Sequence, residues 1–589
     1  MSHRLLYRSG LSLLFVATPV LAQFAQLSAT DDGNQLYFTS QLMLRGATST
    51  SASRAPEARL YRYGPDGVTL FAERGSLASQ HVSGTGAGVA NPQVSGDGSV
   101  AGFTFTYVCL TDPQCMSPGE EGEIRGQRTL DAGPGTLQLS HNGRWALLTQ
   151  TISNLSPGTI QPPTYVSTLM DLTTGQRTDV PPPPYPTART LASDGTLLVQ
   201  PSAEPLSLWK QGQTSPIPLP AGLFVNTGSM TLSDDATTLV VAGFFQASIP
   251  AVGLPDVEMM TIDVASGNVT TLFTAQDSKH GPVLMAASNN GQVVLFRLTR
   301  PGALNGPAYF ANAATGQTIA IDLPDGEFVS DGTLTGPGDV AFLVTTGGRI
   351  VKATQSTGAI DTLFPATPSC DTTYPVAAGS LTYLACSIIG SASDLQGQIL
   401  INGTPVPVLS AQGGVIGVQV PWEARGTLNN TLSLNSQSAS PFDASQPITV
   451  LDSNPQFLAA DPGQSSLLGL DIVKGDWSGL LTTQPGPGDI VYVYMTGLGP
   501  VRNPVQTGVP ASLTTPNPVT GTFACRFQPQ KEDAETLFAE LAPGMIGIYQ
   551  VAFRMPADAG AAPITGIACN LQTPGGGSSI GVGTLGGAS

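Results

Sequence analysis

The side chains that could do chemistry are few, and their spacing is poor for it. Beyond the first residues of the chain only His81, His141 and His280 occur. A zinc site needs His or Cys ligands at short fixed intervals, and none of the three has a second His or a CxxC nearby. His141 falls in the polar stretch Leu139-Ser140-His141-Asn142-Gly143, and His81 and His280 fall in loop-like sequence, so all three are expected to be turn or loop residues. One GxSxG occurs, Gly577-Ser578-Ser579-Ile580-Gly581. A serine nucleophile needs a base and a strained strand-to-helix elbow, whereas this copy lies in a Gly-rich tail with no histidine after it. Glu120, Glu121 and Glu123 form a small acidic cluster, expected inside an irregular loop spanning 107–124, where the alternatives are a cation site and a solvated surface. The Asp-Gly pairs lack the Asp-x-Asp-x-Asp-Gly array and distal Glu of a calcium loop. The expectation is therefore no catalytic, metal or cofactor-binding residue and no cofactor. Paired carboxylates for glycoside hydrolysis are invisible at this level, because their separation is a three-dimensional quantity.

The six cysteines fall in three local pairs: Cys109 with Cys115, Cys370 with Cys386, and Cys525 with Cys569. An even number without metal-site spacing reads as structural disulfides in an oxidising compartment. The first pair would close a loop, the second would pin a hairpin, and the third would tie two strands near the C-terminus.

The elements that carry these residues announce themselves by repetition. A short apolar stretch, a polar Asp-Gly or Asn-Gly type turn and a second apolar strand recur at Leu27–Phe38, Val94–Phe105, Leu139–Leu148, Ala192–Val199, Leu232–Val241 and Ala287–Phe296, with a degenerate copy from Leu334 to Val344. Asp-Gly and Asn-Gly supply the positive φ angles of tight hairpins. Each unit carries a second hairpin, as where Leu60–Tyr63 meets Val68–Phe71 across Pro65-Asp66-Gly67, and Met260–Val264 meets Val269–Phe273 across Ser266-Gly267. Two hairpins per unit make four strands, and units of roughly 40–60 residues describe the blades of a β-propeller, about seven of them. Because the tight turns join the first strand to the second and the third to the fourth, they share one end. The long connections between second and third strands, near 40–57, 107–124, 150–165, 245–257 and 298–307, must crowd the other end, which is the expected binding face.

These Ser-x-Asp-Gly turns resemble the TolB-like and WD40-like propeller repeats of exported bacterial proteins, over about 24–365; the Trp and Pro that often precede the turn there are missing here, and the resemblance implies an architecture and no activity. Farther on, Ile399–Ile401, Val406–Leu409, Val415–Val420 and Leu432–Leu434 read as strands of a small sandwich, with a hairpin at Asn402-Gly403. From about 451 the chain resembles the Solibacter uncharacterised C-terminal domain, on Asn454-Pro455-Gln456-Phe457, Pro487-Gly488-Asp489, Thr496-Gly497-Leu498-Gly499-Pro500-Val501, Leu541-Ala542-Pro543-Gly544, Gly547-Ile548-Tyr549-Gln550-Val551 and Met555-Pro556. Val418–Glu423 is similar to the segment that precedes that domain. The resemblance implies an exported bacterial protein with an immunoglobulin-like module and no catalytic residues to carry over; the chain departs from the pattern at Cys525.

Composition agrees. Only 11% of residues are charged while 41% are hydrophobic, and 68 Gly and 49 Pro punctuate the apolar runs, as in a chain of many short strands. A formal charge of −17 disfavours nucleic acid and anionic membrane surfaces as partners. Arg4 and Arg8 precede an apolar run from Leu11 to about Ala22, too short to span a bilayer, and the expectation is a signal peptide cut after Ala22, with no lipid anchor because Gln23 follows. The expected organisation is an all-β chain: signal peptide 1–22, β-propeller 23–365, a small immunoglobulin-like β-sandwich 366–450 and a Solibacter-type β-sandwich 451–589. The expected role is a secreted or surface-displayed, non-enzymatic binding protein whose partner is a glycan, a peptide or an envelope protein. An extracellular polysaccharide hydrolase or lyase and a structural surface spacer are the alternatives.

Overall fold

The computed structural model describes most of residues 24–582; the account is confined to these, and 1–23, 46–57, 77–87, 108–118, 246–256, 459–471, 475–484 and 583–589, with several shorter stretches, fall outside it. The expected signal segment, the Cys109–Cys115 pair, His81 and His280 therefore lie outside the described residues. The described residues contain no α-helix, and none of them forms a helix long and apolar enough to cross a membrane. The chain divides into two compact units, one of residues 22–367 with 439–443, the other of 1–21, 368–438 and 444–589.

In the first unit, seven antiparallel sheets of three or four strands follow one another along the described chain. The first is Phe24–Ala29, Leu36–Ser40, Arg59–Gly64 and Gly67–Ala72, hydrogen-bonded in that order. The fifth is Leu223–Leu232, Thr238–Phe245, Glu258–Asp263 and Val269–Thr274, and the seventh is Val329–Leu334, Val340–Thr345, Ile350–Thr354 and Ile360–Phe364. Among the described residues the fourth sheet has three strands, Leu197–Val199, Ser207–Lys210 and Gln213–Pro216, with a bridge from Leu191 to Leu197; residues 184–189 lie outside the described residues.

Why the second strand of each sheet is a continuous apolar run is visible in the packing. Successive side chains of a strand point to opposite faces, and here each face meets a neighbouring sheet. Leu239 and Val241 pack with Leu198, Met230 and Leu232, whereas Val240 and Ala242 pack with Val294, Phe296 and Ala311 of the sixth sheet. All four are fully buried. Burial on both sides stabilises by about 1.5–3 kcal/mol per large aliphatic side chain. The sequence of such interlayers closes on itself: Phe24, Leu36 and Phe38 of the first sheet share one core with Phe342, Val344, Ile350 and Phe364 of the seventh.

The first strands of adjacent sheets lie side by side, and each is a sheet edge whose outward N–H groups have no ladder partner. Side chains of the preceding sheet supply partners. Asp331 Oδ2 accepts from Leu27 N–H (3.2 Å), Gln26 Oε1 from Asn91 N–H (2.7 Å), Ser28 Oγ from Val94 N–H (3.1 Å), Gln93 Oε1 from Leu139 N–H (2.6 Å), Gln138 Oε1 from Thr190 N–H (3.1 Å) and Ser229 Oγ from Leu284 N–H (2.9 Å). Bulges in the first strands, between Ala25 and Leu27 and between Val329 and Asp331 among others, turn these polar groups toward the next sheet.

In the second unit, two four-stranded sheets share one core. Cys370–Asp371, Leu381–Cys386, Val415–Gln419 and Val408–Gln412 make one; Thr404–Pro405, Ile399–Ile401, Asn430–Leu434 and Gln446–Ile448 make the other. A five-stranded sheet centred on Ile490–Thr496 and Tyr549–Arg554 and a three-stranded sheet of Thr522–Gln528, Gly566–Thr573 and Gly576–Val582 share a second core. Two of the three expected disulfides are present, Cys370–Cys386 and Cys525–Cys569, each joining residues directly opposite on neighbouring antiparallel strands.

Candidate functional site

The repeated turn has one construction. In the second sheet Ser95 Oγ donates to Asp97 Oδ1 (2.7 Å) and accepts from Val100 N–H (3.0 Å), while Asp97 Oδ1 accepts from Ser99 N–H (2.9 Å). Ser140 with Asn142, Ser233 with Asp235 and Ser288 with Asn290 repeat it. Backbone N–H donors at the third turn position favour the charged carboxylate: the N–H of Asn34 and the hydroxyl of Thr30 hold Asp32 below its ordinary range, and the N–H of Ser99 with Ser95 does the same for Asp97. Gly98 follows at φ +74°, a conformation that suits glycine. Serine, carboxylate and glycine are thus consumed in building the turn. The residue between serine and carboxylate is left to face the axis.

Seven residues occupy that position: Asp31, Gly96, His141, Ser193, Asp234, Asn289 and Gly336. Their backbones bond from sheet to sheet. Asp31 N–H donates to Gly96 O (2.9 Å), Gly96 N–H to His141 O (2.7 Å), Ser193 N–H to Asp234 O (2.9 Å), Asp234 N–H to Asn289 O (2.8 Å) and Asn289 N–H to Gly336 O (2.9 Å). Asn142 Nδ2 reaches Ser193 O at 2.7 Å.

Side chains at these positions form a hub. His141 Nε2 lies 2.7 Å from Asp31 Oδ2, and Nδ1 lies 3.4 Å from Asp234 Oδ2. Asn289 Nδ2 donates to Asp31 Oδ1 at 3.0 Å and sits 2.9 Å from His141 Nε2. The histidine and Asp234 side chains are largely buried, at 18% and 13% exposed. His141 Nε2 thus faces both Asp31 Oδ2 and Asn289 Nδ2, and Nδ1 faces Asp234 Oδ2. Gly96 and Gly336 belong to the same packing: a Cβ on Gly96 would overlap the His141 ring and the Asp31 carboxylate, and one on Gly336 would overlap Asp31. The hub ties the first, third, fifth and sixth sheets together.

His141 is therefore more than the turn residue expected from sequence. The signal was present, as the residue between serine and carboxylate in each copy, and only aligning the seven turns exposes it. The acidic cluster also moves. Glu120, Glu121 and Glu123 lie on the strand Gly119–Arg125, not in a loop, because the run pairs along its whole length with Ala101–Tyr107. Glu123 is 1% exposed and bonds Arg125 Nε at 2.7 Å; Glu120 accepts from Thr136 Oγ1. Gly577–Gly581 lies on the last strand, Gly576–Val582, without a strand-to-helix elbow. Among the described residues no group of three or more His, Cys, Asp or Glu is placed to hold a metal ion.

The opposite end of the fifth sheet carries a different feature. Its first two strands run past their neighbours, and Phe224 faces Phe244 across them with rings stacked at 5.2 Å and 20°. Phe224 is 48% exposed. Gly243 makes the pair possible, since a Cβ there would overlap the Phe224 carbonyl. The pair sits where the chain leaves for the connection at 246–256.

Neither a family model nor a curated protein sequence matches the chain. Similar solved structures include an oligogalacturonate lyase from Vibrio parahaemolyticus (13% identity, 54% of this chain and 85% of that one, TM-score 0.33) and the β-propeller domain of the Trilobed protease from Pyrococcus furiosus (10%, 57% and 91%, 0.34). A putative TolB from Agrobacterium tumefaciens is similar at 15% identity over 43% of this chain and 80% of that one, with a TM-score of 0.24. The fold description rests on the sheets themselves.

Proposed function

We propose that this chain is an exported binding protein in which the seven sheets form a seven-bladed β-propeller, followed by two immunoglobulin-like sandwiches, the second of Solibacter type. The ligand meets the end that bears the long connections. One observation carries the reading: at the turn end Asp31, His141, Asp234 and Asn289 converge into a hub in which Asp31, His141 and Asn289 bond one another and Asp234 faces the imidazole. The other end presents the half-exposed Phe224, stacked on Phe244 and flanked by a connection. A rigid aromatic face offers large contact area at low entropic cost, to a sugar ring or an apolar peptide side chain. Two disulfides of directly opposed cysteines fit an oxidising compartment.

The test is a glycan and peptide array probed with the mature chain. Phe224→Ala should weaken any captured ligand at least tenfold while leaving the urea midpoint nearly unchanged. Turnover of a polysaccharide panel, abolished by Asp31→Asn or Asp234→Asn, would replace this reading with an enzymatic one.

A further inference from the structure

The seam between the first and seventh sheets differs from the six other interlayers. All four strands of the first sheet come from residues 24–72 and all four of the seventh from 329–364, so no strand is exchanged across the seam. Its core contains one foreign side chain, Phe442, 1% exposed. The Phe442 ring lies edge-on to Phe24 (5.4 Å), Tyr61 (5.2 Å), Phe364 (5.9 Å) and Phe38 (6.0 Å), so it touches both sheets at once. Its backbone is held as a short added strand: Met43 pairs with Asp443, Leu44 with Phe442, and Arg45 N–H donates to Pro441 O at 2.9 Å. Residues 439–443 belong to this unit, yet the chain on either side of them belongs to the other.

We infer that the seam is a strand-pairing pocket anchored by one aromatic side chain, and that Pro441–Asp443 is its resident occupant, a latch that holds the ring shut. Four edge-to-face contacts concentrate on one ring, and edge-to-face pairs add stability beyond the area they bury. The ring of sheets, complete in sequence at Phe364, gains its last core residue only when the chain has been made through Phe442. The partner the pocket fits is an extended segment with a phenylalanine, supplied by the chain itself.

The experiment is amide hydrogen exchange on the full chain carrying Phe442→Ala. Exchange should rise at least tenfold in Leu36–Ser40 and Val340–Thr345 on the two sides of the seam, and stay unchanged in the fifth sheet at Thr238–Phe245. Benzene, which enters dry apolar cavities, should slow seam exchange in the variant and not in the parent. Phe442→Leu, which keeps most of the volume, should accelerate the same segments by a smaller factor. Seam exchange equal to that of the parent, or acceleration spread evenly over the seven sheets in either variant, overturns the latch.

Discussion

The hub makes a quantitative demand on one pair. Removing the His141 imidazole by His141→Ala leaves the Asp31 carboxylate without its 2.7 Å partner, and Asp31→Ala leaves the imidazole with Asn289 and Asp234. Single variants mix this loss with changed packing, so the coupling must come from a double-mutant cycle. Hydrogen bonds to charged groups contribute about 1.5–3 kcal/mol when shielded, and exposed ion pairs about 0–1 kcal/mol. Asp31 is 39% exposed and His141 18%, between those limits. The expected coupling is about 1–1.5 kcal/mol, roughly a factor of 5–12 in the unfolding equilibrium. Urea unfolding of the full chain, followed at Trp145 next to the hub turn, reads it. Exchange at the amides of Asp31, Gly96, Asp234 and Asn289 should rise in both single variants, because these N–H groups bond one turn to the next. A coupling below about 0.3 kcal/mol would mean that the two side chains are neighbours without a shared role, and the hub would reduce to seven independent turns.

Two further outcomes follow from neighbouring residues. Gly96→Ala and Gly336→Ala should each cost about 1–3 kcal/mol through overlap with hub side chains; Gly316→Ala, with φ +68° but open space around it, should cost only about 1 kcal/mol, and matched urea melts compare them. For Asp171, desolvation raises the pKa, but hydrogen bonds from Thr173 and Arg144 outweigh it and hold the carboxyl at about 2 against an ordinary 3.8. A depressed pKa in the folded chain stabilises above the unfolded value, so this contribution is present above pH 4 and is lost as pH falls toward 2. Arg144→Ala should flatten that part of the acid profile, by less than about 1 kcal/mol because Arg144 is 51% exposed; an unaltered slope of urea midpoint between pH 5 and pH 2 would contradict it.

Much of the fold was legible in the turns. Asp-Gly and Asn-Gly pairs fix where the chain reverses, and apolar runs between them fix which segments are buried, because both depend on residues adjacent in sequence. Ser140 with Asn142 and Ser233 with Asp235 close their turns over two residues, and such local hydrogen bonds are written in the motif itself. Glu121 and Glu123 read as loop residues because charge argues for solvent; pairing with Phe105 and Phe103 and the ion pair from Glu123 to Arg125 override that preference.

What the sequence determined by itself is the all-β character, the hairpin positions and the two disulfides, each a matter of local geometry or of residue type. What only the tertiary structure decided is convergence. Asp31, His141, Asp234 and Asn289 stand far apart along the chain, and nothing in their own surroundings marks them as partners. They meet because sheets stacked around an axis bring equivalent turn positions to one point. Phe442 makes the same case: its ring partners Phe24 and Phe364 lie far from it in sequence, and long-range packing of rings, not local propensity, places it in the seam.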